Sequence, residues 1–254
     1  MSEPLLEARG IEKSFSHVRA LDGADFTVHA GEVVALIGDN GAGKSTLTKV
    51  LSGVEQPDAG EIRLEGEPVR FASPLDARAH GVETVYQDLA LATDLDPAAN
   101  LFLGREVLRP GLLGKLGFRD DKAMRSRANE ALKQLGVTLK DDKAEVIALS
   151  GGQRQSVAVA RAAMWASKVI FMDEPTAALG VIQTKQVLDM IRRVRDSGIP
   201  VVLISHNMPD VLAVSDRVEV LRLGRRVASL TSAQATVDDL VTAMTSGDLG
   251  KDRS

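Results

Sequence analysis

No cysteine occurs among the 254 residues. Disulfides and thiolate metal sites are therefore excluded, and the chain suits a reducing compartment without requiring one. No apolar run approaches the roughly 20 residues that a membrane span needs. The opening "MSEPLLEARG" is acidic and lacks a positive region followed by an apolar stretch, so no secretory signal is expected. Any work at a membrane then rests on partners. There is no basic excess either: 31 Lys and Arg stand against 35 Asp and Glu, a formal net charge of -4. That balance lends no support to a nucleic-acid footprint, and no nucleic-acid partner is expected. Tandem repeats and low-complexity segments are also missing. The length permits one large domain, or a core with a smaller lobe.

What is present alternates strand and helix signals. "EVVALIG" is an apolar run ending in a glycine-rich loop, and "TLTKVLSG" reads as a helix stopping at Gly53. "GEIRLEG" and "GVETVYQ" are short strand candidates, the first with one face exposed. Between Leu89 and Leu149 the texture becomes helical, with "DPAANLFLG" and "DDKAMRSRANEALKQLGV" separated by a glycine-rich loop. Ala128, Leu132 and Leu135 recur at helical spacing and predict one buried stripe. Core character resumes with the helix "GGQRQSVAVARAAMWA", the strand "KVIFMD", the helix "VIQTKQVLDMIRRVRDSG" and the strand "PVVLIS". "DRVEVLRLG" and "RRVASL" predict a hairpin turned by Gly224. The expected layout is one α/β domain over 1–254: a core of 1–88 and 150–245, an inserted helical lobe of 89–149, and a frayed polar tail of 246–254.

"GDNGAGKST" carries Gly38, Gly43, Lys44 and Ser45 in the G-x-x-x-x-G-K-[ST] spacing, with Asp39, Asn40, Gly41 and Ala42 inside it and Thr46 after it. Glycines let successive N–H groups face phosphates, Lys44 reaches the β- and γ-phosphates, and the Ser45 hydroxyl binds Mg2+. The helix beginning near Lys44 adds its positive end. This loop predicts a nucleotide without choosing between ATP and GTP. Asp173 closes the strand "KVIFMD", where α/β sheets place ligands, and can hold Mg2+ directly or through water. Glu174 points elsewhere, because adjacent side chains do not share a direction, and is free to face an attacking water. Gln87 and His206 each follow a strand candidate. Four strands ending in polar or glycine-rich elements predict a site along one sheet edge.

A second glycine cluster, "LSGGQRQ", lies more than a hundred residues further on. Ser150 and Gln153 have capping-box spacing, which makes a plain helix cap one reading. Gly151, Gly152 and the helix start also present N–H donors beside a hydroxyl, an anion site. It could serve the same nucleotide or that of a second copy. The intervening lobe favours the second copy, and two-fold symmetry would then build two composite sites.

Together these segments resemble the ATP-binding subunit of an ABC transporter. Gly38 to Ser45 matches its Walker A loop, Leu149 to Gln153 its LSGGQ signature, and Val169 to Asp173 its Walker B strand. Glu174, Gln87 and His206 match the catalytic glutamate, Q-loop glutamine and switch histidine, and Phe15 matches the aromatic residue stacking on adenine. The resemblance implies a P-loop NTPase core of the ABC ATPase type, with an inserted helical subdomain and an N-terminal antiparallel β element. It implies ATP and Mg2+ as cofactors, held by residues 38–46 of one copy and 150–153 of the other. Gln87 would join Ser45 and Asp173 around Mg2+, and Glu174 would be the general base. "PTAALGV", "VETVYQDLAL" and "NLFLGRE" look like importers of the ribose, xylose and fructose type. Implied partners are a second copy, transmembrane permease subunits and, indirectly, a periplasmic or surface sugar-binding protein. The implied location is peripheral, on the cytoplasmic side of the inner membrane. Alternatives are a soluble ATP-dependent clamp of the same family and the ATPase of a non-sugar transporter. One departure is Gly180, where the family usually carries an aspartate. The glycine removes a carboxylate and is expected to loosen the backbone.

Overall fold

Residues 3–139 and 141–246 are described by a computed structural model. Of the tail expected over 246–254, only Ser246 is among them; 247–254 lie outside the described residues. Near the N-terminus, β1 (Leu6–Phe15) and β2 (Val18–Val28) form an antiparallel hairpin with Leu6 opposite Val28 and Phe15 opposite Val18. Ser16 makes the turn with a φ of 53°. The run β3 (Val33–Ile37) is wholly buried and feeds α1 (Lys44–Leu51), which sinks Leu47, Val50 and Leu51 into the core. Ser52 ends that helix and Gly53 follows at a φ of 74°, as expected. A Cβ there would meet the Ser73 carbonyl oxygen at 2.6 Å. β4 (Ala59–Leu64) pairs with β1 and with β5 (Glu67–Val69), completing a four-stranded antiparallel sheet in the order β2-β1-β4-β5.

After α2 (Pro74–Ala79), capped by Ser73 accepting from the Asp76 N–H, comes β6 (Val82–Val85). Three helices follow: α3 (Pro97–Leu101), α4 (Leu112–Lys115) and α5 (Asp121–Gln134). The stripe of Ala128, Leu132 and Leu135 is buried as its spacing predicts, with Met124 added a turn earlier. The glycine-rich loop differs from expectation. It holds α4 and a bridge between Leu108 and Arg119, turned by Gly111 and Gly117 at φ of 73° and 83°; a four-residue helix is too short to show a period. Asn100, fully buried, ties down the preceding loop through the Ala92 N–H and the Ala92, Leu95 and Asp96 carbonyls.

The chain continues through α6 (Gly151–Trp165), β7 (Val169–Asp173), α7 (Val181–Asp196), β8 (Val201–Ile204) and α8 (Met208–Val214). It closes with the hairpin β9 (Arg217–Arg222) and β10 (Arg225–Thr231), turned at Leu223 and Gly224, and with α9 (Val237–Ser246). The second sheet runs β10-β9-β3-β8-β7-β6, parallel except for the β10 edge. Both its faces are covered. Val33, Ala35 and Ile37 join the core beneath α6 and α7, while Val34 and Leu36 pack towards α1 and the antiparallel sheet. Burial on both faces explains why these strands read as unbroken apolar runs. The fold is the α/β nucleotide-binding core with an N-terminal antiparallel element that the sequence predicts. Among the described residues, no helix is long and apolar enough to cross a membrane.

Candidate functional site

Register decides what meets at the sheet edge. Leu36 of β3 and Asp173 of β7 both lie opposite Ile204 of β8, and Val85 of β6 lies opposite Met172. The segments leaving these four parallel strands therefore emerge side by side, at the end where α/β sheets bind ligands. Those segments carry Gln87, Lys44, Asp173, Glu174 and His206.

The glycine loop is shaped by close contact. A Cβ on Gly38 would lie 2.3 Å from the Leu221 carbonyl oxygen, and one on Gly43 would lie 2.6 Å from that of Ala20. Gly41, at a φ of 81°, meets nothing within 4 Å and is needed for backbone conformation alone. The Gly224 N–H donates to the Ala42 carbonyl at 2.9 Å, tying the loop to the β9–β10 turn. Asp39, Asn40 and Ser45 are exposed, and Thr46 is partly so. Helix α1 begins after Gly43 with no side chain capping it, so its first N–H groups are free for an anion. Lys44 folds over the loop, its Nζ donating to the carbonyls of Gly38 at 2.7 Å and Asp39 at 3.1 Å. Burial pulls its pKa down, opposed by the charges of Glu174, Asp39 and Asp173. A cradle closed to side chains, an uncapped helix start and a half-buried ammonium fit a nucleotide triphosphate.

Burial raises the pKa of Asp173, and the charge of Glu174 raises it further; Lys44 and Lys49 act against both. Among the described residues, no group of three His, Cys, Asp or Glu side chains could hold a metal. Mg2+ here would depend on Asp173 together with Ser45, Gln87 and phosphate oxygens, a donor set of hard oxygens that suits it. Gln87 is brought within reach: Tyr86, Gln87, Asp88 and Asp173 line a cavity of about 490 Å³. Arg161 of α6 holds the loop beyond it, donating to the carbonyls of Leu89 at 2.9 Å and Ala90 at 2.7 Å.

Glu174 sits at a φ of 49° and its N–H donates to the Ile204 carbonyl at 2.9 Å. A glutamate in this left-handed conformation costs roughly 1–3 kcal/mol. Its Oε1 lies 2.8 Å from His206 Nδ1, and Ser205 Oγ donates to its Oε2 at 3.4 Å. Ser205, only 1% exposed, is a site residue the sequence reading missed. Its one signal was its place between the strand "PVVLI" and His206. Phe15, at the end of β1, is 42% exposed, with the Lys13 Nζ 5.5 Å from its ring centroid.

The second glycine cluster stands elsewhere. Ser150 Oγ accepts from the Gln153 N–H at 3.3 Å, and Gln153 Oε1 accepts from the Ser150 N–H at 2.9 Å, so the capping box is formed. Gly151 and Gly152 face Leu179 and Gln183, and a Cβ on Gly152 would meet Gln183 Cγ at 2.6 Å. Among the described residues, no hydrogen bond or ion pair joins 150–153 to 38–46, and the cavity beside Ser150 is lined instead by α6, α7 and the end of α5. Gly180 departs from expectation. It adopts a φ of -73° and a ψ of 165° at the start of α7, open to any residue; the left-handed residue of this loop is Ala178, at a φ of 59°. What Gly180 removes is a side-chain cap and a charge, while the backbone path is ordinary.

The family described as "ABC transporter" matches residues 21–177. Over 246 residues the chain is 54% identical to the fructose import ATP-binding protein FrcA of Rhizobium meliloti, covering 96% of this chain and 94% of that one. Over 247 residues it is 46% identical to the xylose/arabinose import ATP-binding protein XylG of Sulfolobus acidocaldarius, covering 97% and 96%. Among solved structures, MJ1267, an ATP-binding cassette of an ABC transporter, matches with a TM-score of 0.82 at 26% identity, over 97% of this chain and 99% of that one.

Proposed function

This chain belongs to the ABC transporter family, and from that premise we propose that it hydrolyses ATP to drive import of a monosaccharide through a membrane permease. One observation carries the reading: a lysine-bearing phosphate loop, a carboxylate at a strand end and a Glu–His pair converge on one sheet edge. The near full-length likeness to two sugar-import ATP-binding proteins points to the cargo class.

In this reading Lys44 and the N–H groups of 38–46 neutralise the β- and γ-phosphates, and Phe15 stacks on the base. Ser45, Asp173 and Gln87 would hold Mg2+, which when bound would supply neutralisation of phosphate charge. Glu174 takes a proton from the attacking water, and His206 positions that carboxylate and the γ-phosphate. Such chemistry needs alignment and charge stabilisation more than covalent work by the protein. Ser150, Gly151, Gly152 and Gln153 face the γ-phosphate bound by a second copy, making a homodimer with two composite sites. Residues 89–149 form the inserted helical lobe that leads into this signature. The chain lies peripherally on the cytoplasmic side of the membrane, beside permease subunits and, through them, a sugar-binding protein.

The test is sugar uptake by the chain reconstituted with its permease and binding protein, across pentoses and hexoses. ATP-dependent accumulation of at least one is expected. Turnover without uptake of any sugar would remove the importer reading and leave the nucleotide chemistry standing.

A further inference from the structure

The hairpin between α3 and α5 plays no part in the nucleotide site. Its sequence, "VLRPGLLGKLGFR" over 107–119, holds three cations and no carboxylate, within a chain of formal net charge -4. The backbone is closed on itself. The Arg109 N–H donates to the Phe118 carbonyl at 2.9 Å and the Asp120 N–H to that of Val107 at 2.7 Å. Across the tip, the N–H groups of Lys115, Leu116 and Phe118 donate to the carbonyls of Gly111, Leu112 and Leu113. The side chains point outward instead: Leu112 is 73% exposed, Leu116 65% and Phe118 53%. Clustered exposure of large apolar groups marks an interaction surface, where scattered single leucines would not. Among the described residues, Arg109 and Lys115 have no carboxylate within ion-pair distance, and Arg119 has Asp121 at 3.7 Å.

We propose that this hairpin docks the chain onto an anionic phospholipid surface. With its cross-strand and tip N–H groups paired as above, the backbone can enter the headgroup boundary, where water still reaches the open start of α4. Leu112, Leu116 and Phe118 then bury apolar area while Arg109, Lys115 and Arg119 meet phosphate headgroups. Charge complementarity selects lipid over a protein groove: the acids Glu106 and Asp121 sit at the foot of the hairpin beside Arg119, while the tip presents Arg109 and Lys115 with no carboxylate in ion-pair distance among the described residues, which matches a uniformly negative plane. The inference rests on the hairpin alone and needs neither nucleotide nor cargo.

Flotation of the full chain with phosphatidylcholine vesicles, with and without phosphatidylglycerol, tests it. Binding is expected only to the phosphatidylglycerol vesicles and weakens with salt. Lys115→Ala lowers partitioning about fivefold, the effect of one interfacial cation. The double variant Leu112→Asp, Leu116→Asp abolishes it, with melting temperature and ATP turnover of the free chain unchanged. Equal flotation with both vesicle types, or Lys115→Ala floating like the wild type, overturns the proposal. So does flotation with neither vesicle type, which would leave the hairpin to dock a protein.

Discussion

Replacing Gly43 by alanine asks whether the phosphate loop is fixed by packing or only by backbone conformation, and Gly41→Ala is its internal control. Both glycines have positive φ, 104° and 81°, so either substitution carries a strain of roughly 1–3 kcal/mol. They differ in surroundings. The new methyl at 43 would sit 2.6 Å from the Ala20 carbonyl oxygen and 2.9 Å from Leu21 Cδ2, whereas at 41 nothing lies within 4 Å. The contact is with the backbone carbonyl of Ala20, within β2, which cannot recede like the end of a flexible side chain. Overpacking of this kind adds about 1–3 kcal/mol. If the chain keeps its geometry, that excess lowers the melting temperature of Gly43→Ala by roughly 2–12 °C relative to Gly41→Ala. If the loop shifts to relieve the clash, the excess appears as nucleotide affinity roughly 5- to 150-fold weaker. Calorimetric melting and titration with a fluorescent ATP analogue read both quantities. Two variants indistinguishable in melting and in affinity would refute the packing argument.

Asp173→Asn is expected to raise the melting temperature of the nucleotide-free chain while removing Mg2+-dependent turnover. Burial raises the folded-state pKa of Asp173 above its ordinary value of 3.8. The stabilisation from its proton is complete below that value and lost as pH rises through the folded pKa, so the advantage of Asn grows across that window and then levels off; melts from acid to neutral pH check this. Ser150→Asp keeps an N-cap acceptor for the Gln153 N–H and so retains helix stability to within about 1 kcal/mol. It also sets a carboxylate against the partner's γ-phosphate and abolishes hydrolysis; a folded, fully active variant would reduce Ser150 to a cap. Ser205→Ala removes a hydroxyl from Glu174 and is expected to lower kcat with little change in KM. A KM effect instead would place Ser205 in binding.

How much of this was legible follows from burial and chain separation. β3, β7 and β8 read directly, because burial on both faces leaves unbroken apolar runs such as Val33–Ile37. β1 did not read as a strand. Only Leu6, Ala8 and Ile11 are buried along it, and its register breaks between Ala8 and Ile11, where Gly10 turns at a φ of 57°. Helices α2 and α8, at six and seven residues, are shorter than the pattern that reveals a helix. At the site, Lys44 and Asp173 were visible from local spacing. The contact of Ser205 with Glu174 spans 31 residues and exists because Asp173 is in register with Ile204, which no local pattern encodes. The capping box at Ser150 was legible and is formed; the anion site proposed for the same segment depends on a second copy, which no pattern within one chain displays.

The claim most open to direct test is that ATP is enclosed between two copies, since among the described residues no hydrogen bond or ion pair joins Ser150 to the loop of its own chain. Glu174→Gln leaves every phosphate-binding group in place while removing the base, lowering turnover by about 10²–10⁴-fold. Light scattering on that variant with saturating MgATP should give twice the monomer mass, reverting on nucleotide removal. A strictly monomeric mass, both for the free chain and in complex with its permease, would contradict the account.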